Sequence, residues 1–309
     1  MINFLVSRLV SAVIVVLGVS CLVFLLIHLV PGDPIEVMLG ESSQLADREA
    51  LRHALGLDLP VHTQLLQYFS GLLHFDLGTS LYSKRPVVDL LLERIPATLE
   101  LAVAGLFVAM LLAFPLGIVA AIRKDTLWDG GAMTFSLLGI SIPNFWLGPL
   151  LILIFSLGLG WFPVSGREGF ASLVLPAVTL GTALAAILSR MIRASLLEVL
   201  NEDYIRTARA KGLSSRRVIL HHAMRNALLP VITLMGLQLG VLLGGAVITE
   251  IVFSWPGVGQ LTIEAIQRRD YPVVQACVLL ISVAYVVVNT LTEFVYAGLD
   301  PRIRLLEDG

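Results

Sequence analysis

The sequence predicts an all-α integral membrane protein with six transmembrane helices and both termini on the cytoplasmic side. Three observations carry this. Hydrophobic residues fill 57% of the 309 positions and charged residues only 14%, against about 25% charged in a soluble domain. Six apolar runs each reach the roughly 20 residues that a helix needs to cross the hydrocarbon. With the N-terminus placed inside, 13 of the 21 Lys and Arg residues fall on the cytoplasmic side and 8 on the outer side, the direction of the positive-inside bias.

The first run, residues 9–30, continues past Cys21 to Val30. It is too long for the apolar core of a signal peptide and ends in no small-x-small cleavage site, so it reads as a retained span. Nothing ends the helix at Cys21, which argues against a lipid-modified cysteine there. Residues 31–96 form a large outer loop that opens on the turn Pro31-Gly32-Asp33-Pro34. Within it, 44–55 and 61–73 have the periodicity of short amphipathic helices, suited to lying on the membrane surface or capping a pathway. The remaining runs are 99–122, 132–159, 173–192, 228–251 and 273–297. The run 132–159 is overlong and interrupted by Ile142-Pro143-Asn144 and Pro149, which predicts a kinked helix. The chain thus divides into a first span (1–30), an outer loop (31–96), a five-helix core (97–300) that includes a polar inner loop (194–228), and a cytoplasmic tail (301–309).

Small residues recur every fourth position on three spans. They are Gly105, Ala109, Ala113, Gly117 and Ala121; Gly181, Ala185 and Ser189; and Gly236, Gly240 and Gly244. Such faces let helix backbones approach closely. The third set, with Pro143 and Asn144, marks helix packing or a pathway lining. After the fifth run, the stretch holding Glu250, Phe253, Trp255, Pro256, Gly257 and Gly259 resists a regular helix. It reads as an ordered outer turn, a candidate gate, with Trp255 suited to the interfacial aromatic belt.

The inner loop is the longest polar, basic segment of the chain. Tyr204, Ile205, Ala208 and Leu213 give one stretch of it an apolar side, and Arg206, Arg209 and Lys211 a basic one. Gly212 stands where a helix C-terminal glycine would stand. The pattern is helix, glycine turn, helix. Basic residues gather on the inner side of any membrane protein, but a mere connector needs no such order, so the segment reads as a docking surface for a partner.

Several chemistries lack their residues. There is no phosphate-binding G-x-x-x-x-G-K-[ST] loop and no H-E-x-x-H. His221 and His222 are adjacent, so they point to different faces of a helix and are poorly placed to share a metal. Cys21 and Cys277 both lie in apolar runs and suit neither a disulfide framework nor a metal site. Glu293 is the one clear acid within a span, whereas an ion-coupled carrier usually needs more. No nucleophile and base pair into the constellation of a membrane enzyme.

The stretch Asp203-Tyr204-Ile205-Arg206-Thr207-Ala208-Arg209-Ala210-Lys211-Gly212, followed by Arg225-Asn226-Ala227-Leu228-Leu229-Pro230, resembles the permease subunits of ABC importers, above all the dipeptide, oligopeptide, glutathione and nickel permease family. Pro31-Gly32-Asp33-Pro34, Phe253-Ser254-Trp255-Pro256-Gly257-Val258-Gly259 and Arg269-Asp270-Tyr271-Pro272 extend the resemblance over nearly the whole chain. It implies a type I importer bundle that pairs with a second, homologous permease, two cytosolic ATPases and an external solute-binding protein. ATP and Mg would be held by the ATPases, with no cofactor, catalysis or nucleic acid in this chain. It also implies that Asp203, Tyr204, Arg206, Thr207, Ala208, Lys211 and Gly212 form the segment that docks on the ATPase. Where the general importer motif begins Glu-Ala-Ala, this chain has Arg206, Thr207 and Ala208; Glu202 and Asp203 are the nearby acids. An ion-coupled secondary carrier is the alternative that the residues leave open.

Overall fold

The computed structural model describes residues 2–29, 35, 45–54 and 56–299. The turn Pro31-Gly32-Asp33-Pro34 and the tail 301–309 lie outside them. Helices α1 (Ile2–Leu29), α2 (Leu45–Ala54) and α3 (Val61–Leu73) are followed by the long α4 (Val87–Ile122). Then come α5 (Leu127–Ser141), α6 (Asn144–Leu151) with a π-helical continuation Ile152–Gly158, and α7 (Phe170–Leu200). The polar loop holds α8 (Asp203–Ala210), a single turn Ser215–Arg217 and a π-helical segment Val218–Ala223 that enters α9 (Met224–Gly245). The chain closes with α10 (Val247–Val252), α11 (Val258–Gln267) and α12 (Tyr271–Leu299). Among the described residues the only extended pairing outside a named strand is the antiparallel bridge Thr79–Pro86.

Among the described residues, four stretches are long and apolar enough to cross a membrane: Val87–Ile122, Phe170–Leu200, Ser215–Leu243 and Tyr271–Tyr296. Leu127–Ser141 with Asn144–Gly158 forms a fifth as a pair bent by 100°. This corrects the expected kink. Ile142 (ψ 112°) and Pro143 (ψ 143°) are both extended, so the helix ends and restarts instead of bending. Proline supplies no N–H and pushes the residue before it out of the helical region. The fifth run is also interrupted: Ala246, at ψ 5°, separates α9 from α10.

Exposure is inverted relative to a soluble domain. Helix α4 turns Val103, Phe107 and Leu111 outward, each more than 60% exposed, while Ala102, Ala109, Ala113 and Ala120 are fully buried. In lipid, large apolar groups gain nothing from burial, and close backbone contact holds the helices together.

The chain forms two compact units. The first comprises residues 1–98 and 256–284. Its core joins Val23 of α1, Val87 and Leu91 of α4, Val258, Leu261 and Ala265 of α11, and Val273 and Cys277 of α12. The Tyr68 ring of α3 stacks on Phe24 of α1 at 5.8 Å. The buried Asp270 carboxylate accepts hydrogen bonds from the Ser80 hydroxyl and from the N–H groups of Leu81 (3.0 Å) and Tyr82 (3.4 Å). The Arg268 guanidinium covers the Tyr82 ring at 4.2 Å.

The second unit comprises residues 99–255 and 285–309. Helices α4 and α7 run parallel in it. A Cβ at Gly105 would lie 3.1 Å from Leu180, and one at Gly117 would lie 2.7 Å from the Ser189 carbonyl and from Ile192. Gly181 returns the contact, 2.7 Å from Val108 and 2.9 Å from the Gly105 carbonyl. Helix α5 runs antiparallel to α7, with Gly139 against Thr182 and Ala186, and the Ser136 and Ser189 hydroxyls 2.7 Å apart. Helices α9 and α12 are also antiparallel, with Gly236 against Thr292 and Gly240 against Tyr285.

Candidate functional site

Helix α8 is short, and its ends are defined locally. Glu202, extended at ψ 147°, precedes it, and Asp203 in the first turn suits the positive end of the helix dipole. At the other end the Leu213 N–H donates to the Ala208 carbonyl (3.4 Å) and the Gly212 N–H to the Arg209 carbonyl (2.9 Å). This is a Schellman motif, with Gly212 at φ +79° in the left-handed position. Nothing lies within 4 Å of a Cβ built on Gly212, so backbone conformation alone calls for glycine here.

One side of α8 is anchored. Ile205 is fully buried and Ala208 nearly so, in a cluster with Ala121 of α4, Leu196 of α7, Val218, and Met224 and Ala227 of α9. The Thr207 hydroxyl donates to the Asp203 carbonyl at 3.0 Å. Arg206 pairs with Asp203 at 3.1 Å, but both are well exposed, and such a pair contributes little. Arg209, Lys211, Arg216 and Arg217 are exposed. The outcome is a rigid, largely basic surface set on the ends of three long helices.

Ala208 faces inward, as its place on the apolar side predicts. Tyr204 does not join the buried face: it is 39% exposed, and its hydroxyl accepts a hydrogen bond from Asn226 Nδ2 at 2.9 Å. A tyrosine places its ring on apolar surface and keeps its polar tip at the edge, so the apolar pattern assigned it to the wrong side.

An ion pair lies near this surface that the sequence reading did not single out. Arg193 of α7 grips Asp129 of α5 through two bonds, Nε to Oδ1 and Nη2 to Oδ2, both 2.7 Å. Asp129 is 5% exposed and also accepts the Asp125 N–H at 3.1 Å. The available signal was an acid in the first turn of a helix. Its partner stands 64 positions away.

The outer candidates divide between the two units. In the second unit, Glu250, Phe253 and Trp255 are all buried at 2% exposure or less. Trp255 therefore does not sit in an interfacial belt. Ser254 at φ +47° turns the chain back, and the Trp255 N–H donates to the Glu250 carbonyl at 2.7 Å. Glu250 is also a buried acid at the end of the fifth run, so Glu293 is not alone. The Gly166 N–H donates to the Phe253 carbonyl at 2.9 Å, and Arg167 pairs with Glu100 at 2.7 Å. Pro143 precedes α6 and Asn144 begins it, while a Cβ at Gly148 of α6 would lie 3.0 Å from Val252. In the first unit, Pro256 leads to Gly257, which precedes α11, and the Val258 N–H donates to the Thr98 hydroxyl at 2.8 Å. Gly259 lies inside α11, so the helix resumes earlier than the two glycines suggested. Gly236, Gly240 and Gly244 all lie on α9.

Comparison with known proteins gives this multi-span helical chain, with its capped, basic helix, a class. Residues 113–305 match the family described as the binding-protein-dependent transport system inner membrane component, and residues 1–102 match its N-terminal region. The glutathione transport system permease protein GsiC of Escherichia coli strain K12 is 43% identical over 304 residues, covering 98% of this chain and 99% of the relative. The di/tripeptide transport system permease protein DppB of Pseudomonas aeruginosa strain UCBPP-PA14 is 45% identical, with the same coverage. Among solved structures, the MetNI methionine ABC transporter in inward facing conformations matches with a TM-score of 0.58 and 19% identity, over 68% of this chain and 96% of that one. The chain belongs to the family of binding-protein-dependent transport system inner membrane components. It is an inner-membrane permease subunit of an ABC importer, and the secondary-carrier alternative is set aside.

Proposed function

We propose that this permease forms half of a translocation pathway for a peptide, glutathione or a related small solute such as a nickel chelate. The other half comes from a second, homologous permease. Two cytosolic ATPases bind and hydrolyse Mg-ATP, an external solute-binding protein delivers the solute, and this chain performs no catalysis. The relatives' named substrates support the solute class. Six spans with both termini inside fit the geometry. Because α4 and α7 are parallel, the chain has to recross between them, which favours the bent pair as one broken span over a re-entrant loop. The charge distribution supports the orientation.

One observation carries the docking role: α8 is anchored through Ile205 and Ala208, stopped by Gly212, and basic on its free side. Asp203, Arg206, Thr207 and Lys211 then meet the ATPase. Glu250, Phe253, Trp255, Pro256, Gly257 and Gly259 shape the outer turn as a gate, and Pro143, Asn144 and the α9 glycines serve packing or line the pathway. The test is Gly212→Val beside Gly212→Asn. Valine in the left-handed position costs roughly 1–2 kcal/mol, and asparagine less. Both variants should insert at normal levels. For valine, ATPase co-purification and solute-stimulated hydrolysis should fall together, and asparagine should retain most of each. Wild-type co-purification and stimulation with Gly212→Val would overturn the docking role.

A further inference from the structure

We propose that α3 is an interfacial helix, held against span α1 through Tyr68 and Phe24, with one flank immersed at the boundary between lipid headgroups and acyl chains. In the orientation proposed above, this is the outer leaflet. Residues 59–75 contain no Asp, Glu, Lys or Arg and are bounded by Asp58 and Asp76. An exposed helix of a water-facing loop ordinarily carries charge. This helix is partitioned into three strips instead. Tyr68, with Leu65 and Leu72 beside it, faces inward, and the Tyr68 ring stacks on Phe24 of α1. Thr63, Gln67 and Ser70, spaced four and three apart, make a polar strip. Between these, one turn beyond the exposed His62, lies an apolar flank that nothing among the described residues covers: Leu66 is 68% exposed and Leu73, two turns on, 81%, with Phe75 beyond the helix end at 89%.

The occupant follows from what α3 is attached to. Phe24 belongs to an apolar helix whose outward side chains Leu22 and Leu25 are 56% and 45% exposed. A helix stacked on that span shares its surroundings, so the bare flank continues the lipid-facing surface of α1. With a polar strip to water, an apolar flank to acyl chains and no Lys or Arg, buried apolar area is what would hold such a helix in the interface plane.

The test uses the assembled complex in nanodiscs of phosphatidylethanolamine and phosphatidylglycerol, with Cys21→Ser and Cys277→Ala as background. Leu66→Cys, Leu73→Cys and Ser70→Cys each carry a polarity-sensitive fluorophore. Lipids brominated on the acyl carbons nearest the headgroup should quench the labels at 66 and 73 about threefold more than the label at 70, and aqueous iodide should show the reverse order. The pattern should persist when phosphatidylcholine replaces phosphatidylglycerol, because α3 has no Lys or Arg to pair with an anionic lipid. Equal iodide quenching at all three positions, protection at 73 without bromolipid quenching, or loss of the pattern with the change of lipid would each overturn the proposal. The readout needs no transport, so it stands or falls apart from the solute reading.

Discussion

Replacing Asp270 with alanine should release the segment 80–82 from the turn between α11 and α12. Asp270 is 4% exposed, and its carboxylate accepts the Ser80 hydroxyl and the Leu81 N–H, the latter at 3.0 Å. The Tyr82 N–H, at 3.4 Å, is near the limit and adds little. A hydrogen bond to a charged group contributes about 1.5–3 kcal/mol. Two of them at the low end, since the carboxylate also bears a desolvation cost, give about 3 kcal/mol. At 1.4 kcal/mol per tenfold, the opening equilibrium should rise about a hundredfold. Hydrogen exchange of the Leu81 and Tyr82 amides in nanodiscs reads this directly. Asp270→Asn keeps one acceptor oxygen and should give about a tenfold rise. Exchange at both amides within about twofold of wild type in Asp270→Ala, well below one hydrogen bond's worth, would refute the reasoning.

Three further outcomes follow from packing and charge. A methyl at Gly236 would fall 1.9 Å from Thr292 Oγ1 and 2.3 Å from its Cγ2; Gly236→Ala should cost about 1–3 kcal/mol in thermal unfolding, and adding Thr292→Ala should restore part of it, whereas an equal loss in both would refute the contact. Asp129→Asn should destabilise by about 1–3 kcal/mol, discounted because Arg193 is 26% exposed; with Arg193→Gln the double change should cost less than the sum of the single ones, and strict additivity would deny the pair. In the loop between α2 and α3, the hydrogen bond that His53 Nδ1 donates to the Asp58 carboxylate raises the His53 pKa above its ordinary 6.5 and lowers that of Asp58. The support this gives the turn after α2 is complete below pH 6.5 on the histidine side and is lost as pH rises through the raised value; on the aspartate side it is lost as pH falls through the lowered value. Intrinsic-rate-corrected protection of the Gly56 and Leu57 amides should therefore fall above neutral pH, and His53→Gln should abolish that dependence.

What the sequence reveals depends on how local the cause is. Gly212 is legible because a left-handed residue after a basic last turn is a property of about ten consecutive residues. The helices expected at 44–55 and 61–73 are legible from their periodicity. The break at Ile142-Pro143 is legible in place but not in size, since two extended residues can send the next helix off at almost any angle. Trp255 is misread because the belt rule concerns exposed rings, while the turn at Ser254 folds this one inward. Asp129 stays hidden because only the fold brings Arg193 to it.

The tight crossings have a consequence for how such chains can diverge. At Gly117 and Gly181 the obstruction includes a backbone oxygen, that of Ser189 at 2.7 Å and that of Gly105 at 2.9 Å. Trimming the facing side chain leaves that oxygen in place, so no single replacement across the interface makes room for a methyl. At Gly236 the nearest obstruction is one threonine side chain, which a smaller residue relieves in part. Descendants of this chain are thus free to exchange volume between positions 236 and 292 as a linked pair, while positions 117 and 181 have no partner with which to trade.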